Sequence, residues 1–327
     1  MKPEYLINNM QAADKKKGVT LVITFSRRIF APIFFKSFNQ MQLPRENIHL
    51  LVYDNTEDTL LADVLRNELT GLIPLFRSVR LYKSYLKGKG SIMGSGNEQF
   101  KKSKLFNIWA MWKSIFITRG GMIFTPEFFY LEDDTIACPD AYNRLFAQLH
   151  KDSKVGMVTG IETGRHAYPW VPVRLGVHYL KMRKFKVLER ISLDPNLKGL
   201  QKIDASGVYC FAARTKAYKT GFLGYDPCSL KIPFFAMDNV MTWNMKLHGW
   251  GLLADFNVWC SHLEASAARI ISFSKDQAVP MADIWIEKFN NYASGVEIFK
   301  RNQKARRFRV TKPAPSWELD PDKEEDL

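Results

Sequence analysis

Residues 128–135 read Phe-Phe-Tyr-Leu-Glu-Asp-Asp-Thr, an aromatic and apolar run that drives straight into three consecutive carboxylates, Glu132, Asp133 and Asp134. The run has the composition of a buried strand. A fully buried strand cannot carry three anions in its middle, because burying an unpaired charge costs too much. The acids must therefore stand where the strand leaves the sheet. In open α/β sheets that carboxyl edge is where ligands bind. Clustered hard oxygen ligands there suit Mg²⁺ or Mn²⁺, held by one or two carboxylates and shared with substrate phosphates. Taken alone, the same stretch also suits a solvated acidic loop after a strand.

The neighbouring sequence supplies the sheet. Residues 19–25 (Val-Thr-Leu-Val-Ile-Thr-Phe) predict a central parallel strand. Ser26-Arg27-Arg28 follows at its end, where arginines can meet phosphate or simply close a surface turn. Residues 29–41 read as a helix, with Pro32 tolerated in its first turn. A second strand, Ile48 to Asp54, ends in Asp54-Asn55-Thr56. An acid closing the second strand of a nucleotide-binding unit can grip a ribose or base edge, although Asp-Asn is also ordinary turn chemistry. A helix over 58–70 and a short strand over 79–82 are expected next. The one glycine-rich segment, 87–97, matches neither a Walker loop nor GxGxxG and reads as a loop over the site. A helix over 98–117 sets Lys101, Lys104 and Asn107 near one face, toward a pyrophosphate or toward solvent.

After the acidic strand, Pro139 starts a helix to about His150. Strands are expected at 155–160, 203–213 and 251–256, the last followed by Val258-Trp-Cys-Ser-His262, with a helix over 239–248 ended by Gly249. Residues 1–18 read as a short helix or loose arm. Residues 162–185, with Trp170 between two prolines, read as a substrate-facing insertion or a covering flap. From about residue 265 a basic helical extension is expected, and from Glu318 an unstructured acidic tail.

Charge and cysteine usage bound the setting. The net charge of +14 attracts polyanions: nucleic acid, anionic lipid or phosphorylated substrate. Part of it is clustered in Lys300, Arg301, Lys304, Arg306, Arg307, Arg309 and Lys312. Four scattered cysteines without a CxxC pair suggest neither a zinc knuckle nor a disulfide framework. With no secretory signal at the N-terminus, a reducing cytoplasm is the expected compartment, the host's if the protein is viral. No run of about 18 apolar residues is present to span a bilayer.

In order, these features resemble the GT-A glycosyltransferases, nearest the large inverting family 2 group, over about residues 19–264. The resemblance implies an α/β fold of Rossmann-like type, a mostly parallel central sheet flanked by helices, carrying a basic helical C-terminal extension. It divides the chain into a nucleotide-sugar-binding half (1–150), an acceptor half (151–264) and the extension (265–327). Thr24-Phe25-Ser26-Arg27 looks like the end of the family's opening strand, which meets the donor nucleotide. Asp54-Asn55-Thr56 looks like its donor-base turn, and Lys104 with Asn107 takes the place of its Arg-Asn helix. Glu132-Asp133-Asp134 stands where the DxD motif belongs, with Glu132 and Asp134 as outer, metal-binding carboxylates and Asp133 on the donor. Asp204 to Gly207 resembles the acceptor-side strand. Met237-Asp238-Asn239 resembles the pair that holds the catalytic base, so Asp238 inherits that role, and His262 resembles a late histidine on metal or diphosphate. Glu132 and Asn239 depart from the family's more usual aspartates.

The implied reaction needs Mn²⁺ or Mg²⁺ and a nucleotide-sugar donor, with a UDP-sugar expected. Its acids fall at two separated places because a departing diphosphate and an incoming hydroxyl need different help. The positive charge and the aromatic, cationic insertion suit a DNA acceptor, as in viral enzymes that glycosylate hydroxymethylated pyrimidines. An alternative is an enzyme of surface polysaccharide or glycolipid synthesis touching anionic membrane through its basic segment. A further one is a non-catalytic nucleic-acid-binding protein on the same fold.

Overall fold

The computed structural model describes residues 3–56, 58–84, 108–118, 121–162, 177–182, 187–192, 198–223, 237–262 and 317–318. Val19–Phe25 forms strand β2, buried throughout after Val19. A strand covered on both faces has no use for alternating polarity, and this one shows none. Beside it lies β3 (Ile48–Asp54), buried at every position, then β4 (Ser78–Lys83) and the edge strand β1 (Glu4–Asn8). On the other side lies β5 (Glu127–Glu132), the acidic strand. Beyond it come β12 (Cys210–Arg214), β7 (Val155–Glu162), β13 (Gly251–His262) and β10 (Leu200–Lys202), while β6 (Thr135–Ala137) pairs with the far end of β13.

Strands β4, β3, β2 and β5 are mutually parallel. β12 runs against both β5 and β7, and β7 is parallel to β13. β1 and β10 are reversed at the two edges. The fold is therefore α/β with a mostly parallel sheet, since β2, β3, β4, β5, β7 and β13 all point one way. Successive units step outward from β2 to β3 and β4, and the chain then returns to place β5 on β2's other side. That reversal makes the carboxyl ends of β2 and β5 the topological switch point. Register brings the ends level: Phe25 is opposite Asp54, Asp54 opposite Lys83, and Thr24 opposite Glu132.

Helices cover both faces. Helices α1 (Ala31–Gln40), α2 (Thr59–Leu72) and α4 (Ala141–Leu149) bury Phe34, Phe38, Leu65 and Leu145 against Leu21, Ile23, Leu50 and Leu131. Helix α3 (residues 108–116), α5 (Thr215–Thr220) and α6 (Met237–Leu247) bury Trp112, Phe116, Tyr218 and Met245 against Val22, Leu51, Tyr130 and Phe211. Alternate strand residues thus serve opposite cores, as the pleat requires. A second, smaller sheet pairs β11 (Ala205–Ser206), β8 (Val177–Met182), β9 (Val187–Ser192) and β14 (Trp317–Glu318) in that order. No helix among the described residues is long and apolar enough to cross a membrane.

The arm expected at 1–18 is in part a strand. β1 is a half-exposed edge pairing antiparallel with β4, and an edge this short leaves little periodic signal in the sequence. The single strand expected over 203–213 is two, β11 and β12, broken at Gly207. The insertion at 162–185 contributes β8 to a hairpin with β9. Glu318, expected in an unstructured tail, pairs its backbone with Val187 in β9. The expected loop over 87–97 and basic segment over 300–312 lie outside the described residues.

Candidate active site

The carboxyl edge is held together by its own acids. Asp133 turns back toward β2, and its Oδ2 accepts the backbone N–H groups of Ser26 (2.8 Å) and Arg27 (2.9 Å), with the Ser26 hydroxyl 3.3 Å away. The backbone N–H of Asp133 in turn donates to Thr24 O. Asp133 therefore locks the end of β5 onto the end of β2. Burial, then the charge of Asp134, pushes its carboxyl up to about 7, against the pull of Arg27 and the two amides. Asp134 is buried too, and its Oδ2 lies 3.5 Å from Arg27 Nη1. The Arg27 guanidinium also stacks over Phe30 at 5.1 Å, which fixes a cation beside the acidic turn.

One strand over, Asp54 is fully buried. Its Oδ2 accepts from Lys83 Nζ at 2.7 Å, and its Oδ1 accepts the backbone N–H and hydroxyl of Thr56. Burial raises the Asp54 carboxyl, and Lys83 and Thr56 work against that rise. Asn55 Oδ1 accepts from the Ser84 hydroxyl. The turn expected to meet the donor base is thus clamped from inside by Lys83, which belongs to no motif in the sequence. A buried lysine at the close of a short apolar strand was the available signal, because such a charge requires a partner. Thr24 points into the core, its hydroxyl 2.6 Å from the Tyr130 phenol.

Asp238 lies in the first turn of α6, and its Oδ1 accepts the backbone N–H of Asn239. A Cβ built on Gly207 would stand 3.4 Å from Asp238 Oδ2 and 3.3 Å from the Tyr209 ring. The missing side chain thus leaves room for the carboxylate beside Tyr209. Tyr209 O accepts the backbone N–H of Glu132 at 3.0 Å. Glu132 and Asp238 also act on one common group, the fully buried phenol of Tyr218. Burial first, and then these two charges, push it well above its ordinary range. The two acidic places in the sequence therefore belong to one end of the sheet. Asp204 forms an ion pair with Lys246 in the last turn of α6.

His262 ends β13 with its backbone opposite Thr135, one residue past Asp134. Lys104 and Asn107 lie outside the described residues. Among the described residues no three His, Cys, Asp or Glu side chains form a ready metal cage. Asp133 is taken by amides, which leaves Glu132 and Asp134 as protein carboxylates. That set fits an ion completed by substrate oxygens and does not fit a closed structural site.

Two solved structures resemble the fold loosely. One is GalNAc-T7 crystallised with UDP, GalNAc and Mn²⁺, at TM-score 0.47 and 13% identity over 76% of this chain and 44% of that one. The other is the mannosyltransferase PcManGT from Pyrobaculum calidifontis in complex with GDP-Man and Mn²⁺, at TM-score 0.44 and 13% identity over 76% of this chain and 57% of that one. This chain spans about half the length of either. Likeness of that degree assigns no role to any residue here. No protein-family model and no curated protein sequence matches the chain.

Proposed function

We propose that this protein transfers a sugar from a nucleotide-sugar donor to an acceptor hydroxyl, with inversion. The observation that carries the reading is the meeting of two acidic centres at one switch-point edge. Glu132 and Asp134 close β5, the Glu132 backbone N–H donates to Tyr209 O, and Asp238 stands beside Gly207 and that same Tyr209. A surface loop of unrelated acids gives no reason for that convergence. Arg27 beside Asp134 supplies a fixed positive charge for a diphosphate. Glu132 and Asp134 are the residues that would hold Mn²⁺ or Mg²⁺. When bound, such an ion offsets the charge that develops on the departing nucleoside diphosphate. Asp238 accepts the proton of the acceptor hydroxyl as its oxygen attacks the anomeric carbon. Direct attack from that side inverts the centre.

The acceptor in this proposal is 5-hydroxymethylpyrimidine in DNA. Its support is the net charge of +14 and the basic run over 300–312, which suit a phosphate backbone. The target base would be extruded to bring its hydroxymethyl group to Asp238. The test offers a panel of nucleotide sugars with Mn²⁺ to plain and hydroxymethylated DNA and reads digested nucleosides by mass spectrometry. A hexose or pentose mass on the modified base is expected, lost in Asp134→Ala. Sugar transfer to a lipid or glycan acceptor only, with vesicle binding and no DNA binding, would move the acceptor to surface polysaccharide or glycolipid. DNA binding with no turnover of any nucleotide sugar would sink the enzymatic reading.

A further inference from the structure

Arg80 lies in the middle of β4, three residues before Lys83, and is only 1% exposed. Its side chain is on the α3 face of the sheet, toward the segment that enters β5. Nη1 donates to Met122 O at 2.9 Å, and the guanidinium sits 5.5 Å from the Phe124 ring centroid. Nε and Nη2, also buried, have no hydrogen-bond partner among the described residues. Those two nitrogens form the side-on edge of the guanidinium, the pair of parallel N–H donors that matches two oxygens of a carboxylate or phosphate. No carboxylate among the described residues forms an ion pair with this group. The phenol of Tyr5, on the exposed edge strand β1, approaches the guanidinium as a weak hydrogen-bond partner and supports its charge, but neither Nε nor Nη2 has a partner of good geometry.

The surroundings are cationic and open on one side. Lys15 Nζ lies 5.1 Å from the same Phe124 ring, and Lys15, Lys16 and Lys17 are exposed. Tyr5 and Phe124 are each 39% exposed, so these two rings separate the buried fork from water. Arg77 and Lys17 share the carboxylate of Asp14. A buried cation with its bidentate edge unused is expensive unless something completes it.

We propose that Arg80 anchors an oxyanion site on this flank of the sheet, separate from the carboxyl-edge centre and independent of the glycosyl-transfer reading. Its ligand is a small phosphate or carboxylate, bound bidentate by Nε and Nη2, with Tyr5 and Phe124 as the groups that part to admit it. The lysines at 15–17 draw the anion in.

The full-length protein is titrated with inorganic phosphate, and separately with malonate, at ionic strength matched by chloride. The ¹⁵N–Hε resonance of Arg80 and the melting temperature are followed. Saturable movement of that resonance, with a melting temperature that climbs with ligand, is expected in one or both arms, and the arm that saturates lower identifies the chemistry. Arg80→Lys keeps the charge, loses the fork and should lose the response. An Arg80 resonance unmoved by either anion in the wild-type chain would overturn the site. So would an equal rise in melting temperature in wild type and a folded Arg80→Lys, which is general exclusion of the salt from the surface. The wild-type resonance decides the matter if the variant fails to fold.

Discussion

Adjacent in sequence, Asp133 and Asp134 have different partners. Asp133 is bound by two backbone amides and holds the site's shape, whereas Asp134 faces a guanidinium. Asp134→Ala should therefore abolish turnover while the protein keeps its fold by circular dichroism. Asp133→Asn keeps an oxygen for both amides and should remain folded. The proposed base sits apart from both. Asp238→Asn is expected to lower kcat by about 10²–10⁴-fold and leave the donor Kd unchanged by calorimetry; equal loss in both would make Asp238 a binding group. Buried Lys83 is the most exacting single position, since Asp54, its carboxylate partner among the described residues, is also fully buried. Lys83→Met strands that acid and should cost about 3–5 kcal/mol in urea unfolding. The Asp54→Asn, Lys83→Met double variant should recover part of the loss.

At the scale of elements, two buried groups pull stability in opposite directions with pH. His49 on β3 has Nδ1 2.7 Å from the Ser78 hydroxyl and Nε2 donating to Asp14 O and Lys17 O, which ties the arm before β2 to the sheet. Burial lowers its pKa, with Arg80 and Arg77 adding to that. The unfolded chain thus binds a proton at His49 that the folded one refuses, and this group's contribution falls as pH drops below about 6.5. Asp133 behaves oppositely. Its folded form keeps a proton up to about 7, so it disfavours folding increasingly as pH rises from about 4 toward that value. His49→Gln should become more stable on acidification and Asp133→Asn less so, as read by urea midpoints at several pH values.

These elements also mark what was legible in the sequence. Strands β2 and β3 were readable to the residue, because continuous β-branched and leucine runs bounded by Gly18 and Asp54 admit one reading. Gly18 itself, at φ 74° and with Asn47 O only 2.1 Å from where a Cβ would be, is a stop that no other residue could make. The acids at 132–134 were legible through the cost of burying charge. Tyr218 and Arg80 were not, because their roles depend on which strands become neighbours, and pairing between distant strands leaves no local pattern. The strand β14 was hidden for the same reason.

For the whole molecule, charge is the property that scales with partner choice. Neutralising Arg306, Arg307 and Arg309 together should weaken binding to duplex DNA and lower the slope of log K against log salt by up to about 3, one phosphate contact each. An unchanged slope in a filter-binding or anisotropy titration would show that the DNA footprint lies elsewhere on the surface.

Strand β12 has a consequence for how this chain can be made. It runs backward between β5 and β7, so the flank of β5 stays bare until residue 214 has been synthesised. A ribosome near residue 150 therefore carries a nascent sheet with one long, aromatic, unpaired edge, the kind that recruits stray strands. The nucleotide-side half should accordingly precipitate when expressed alone and dissolve when residues 151–262 are supplied with it.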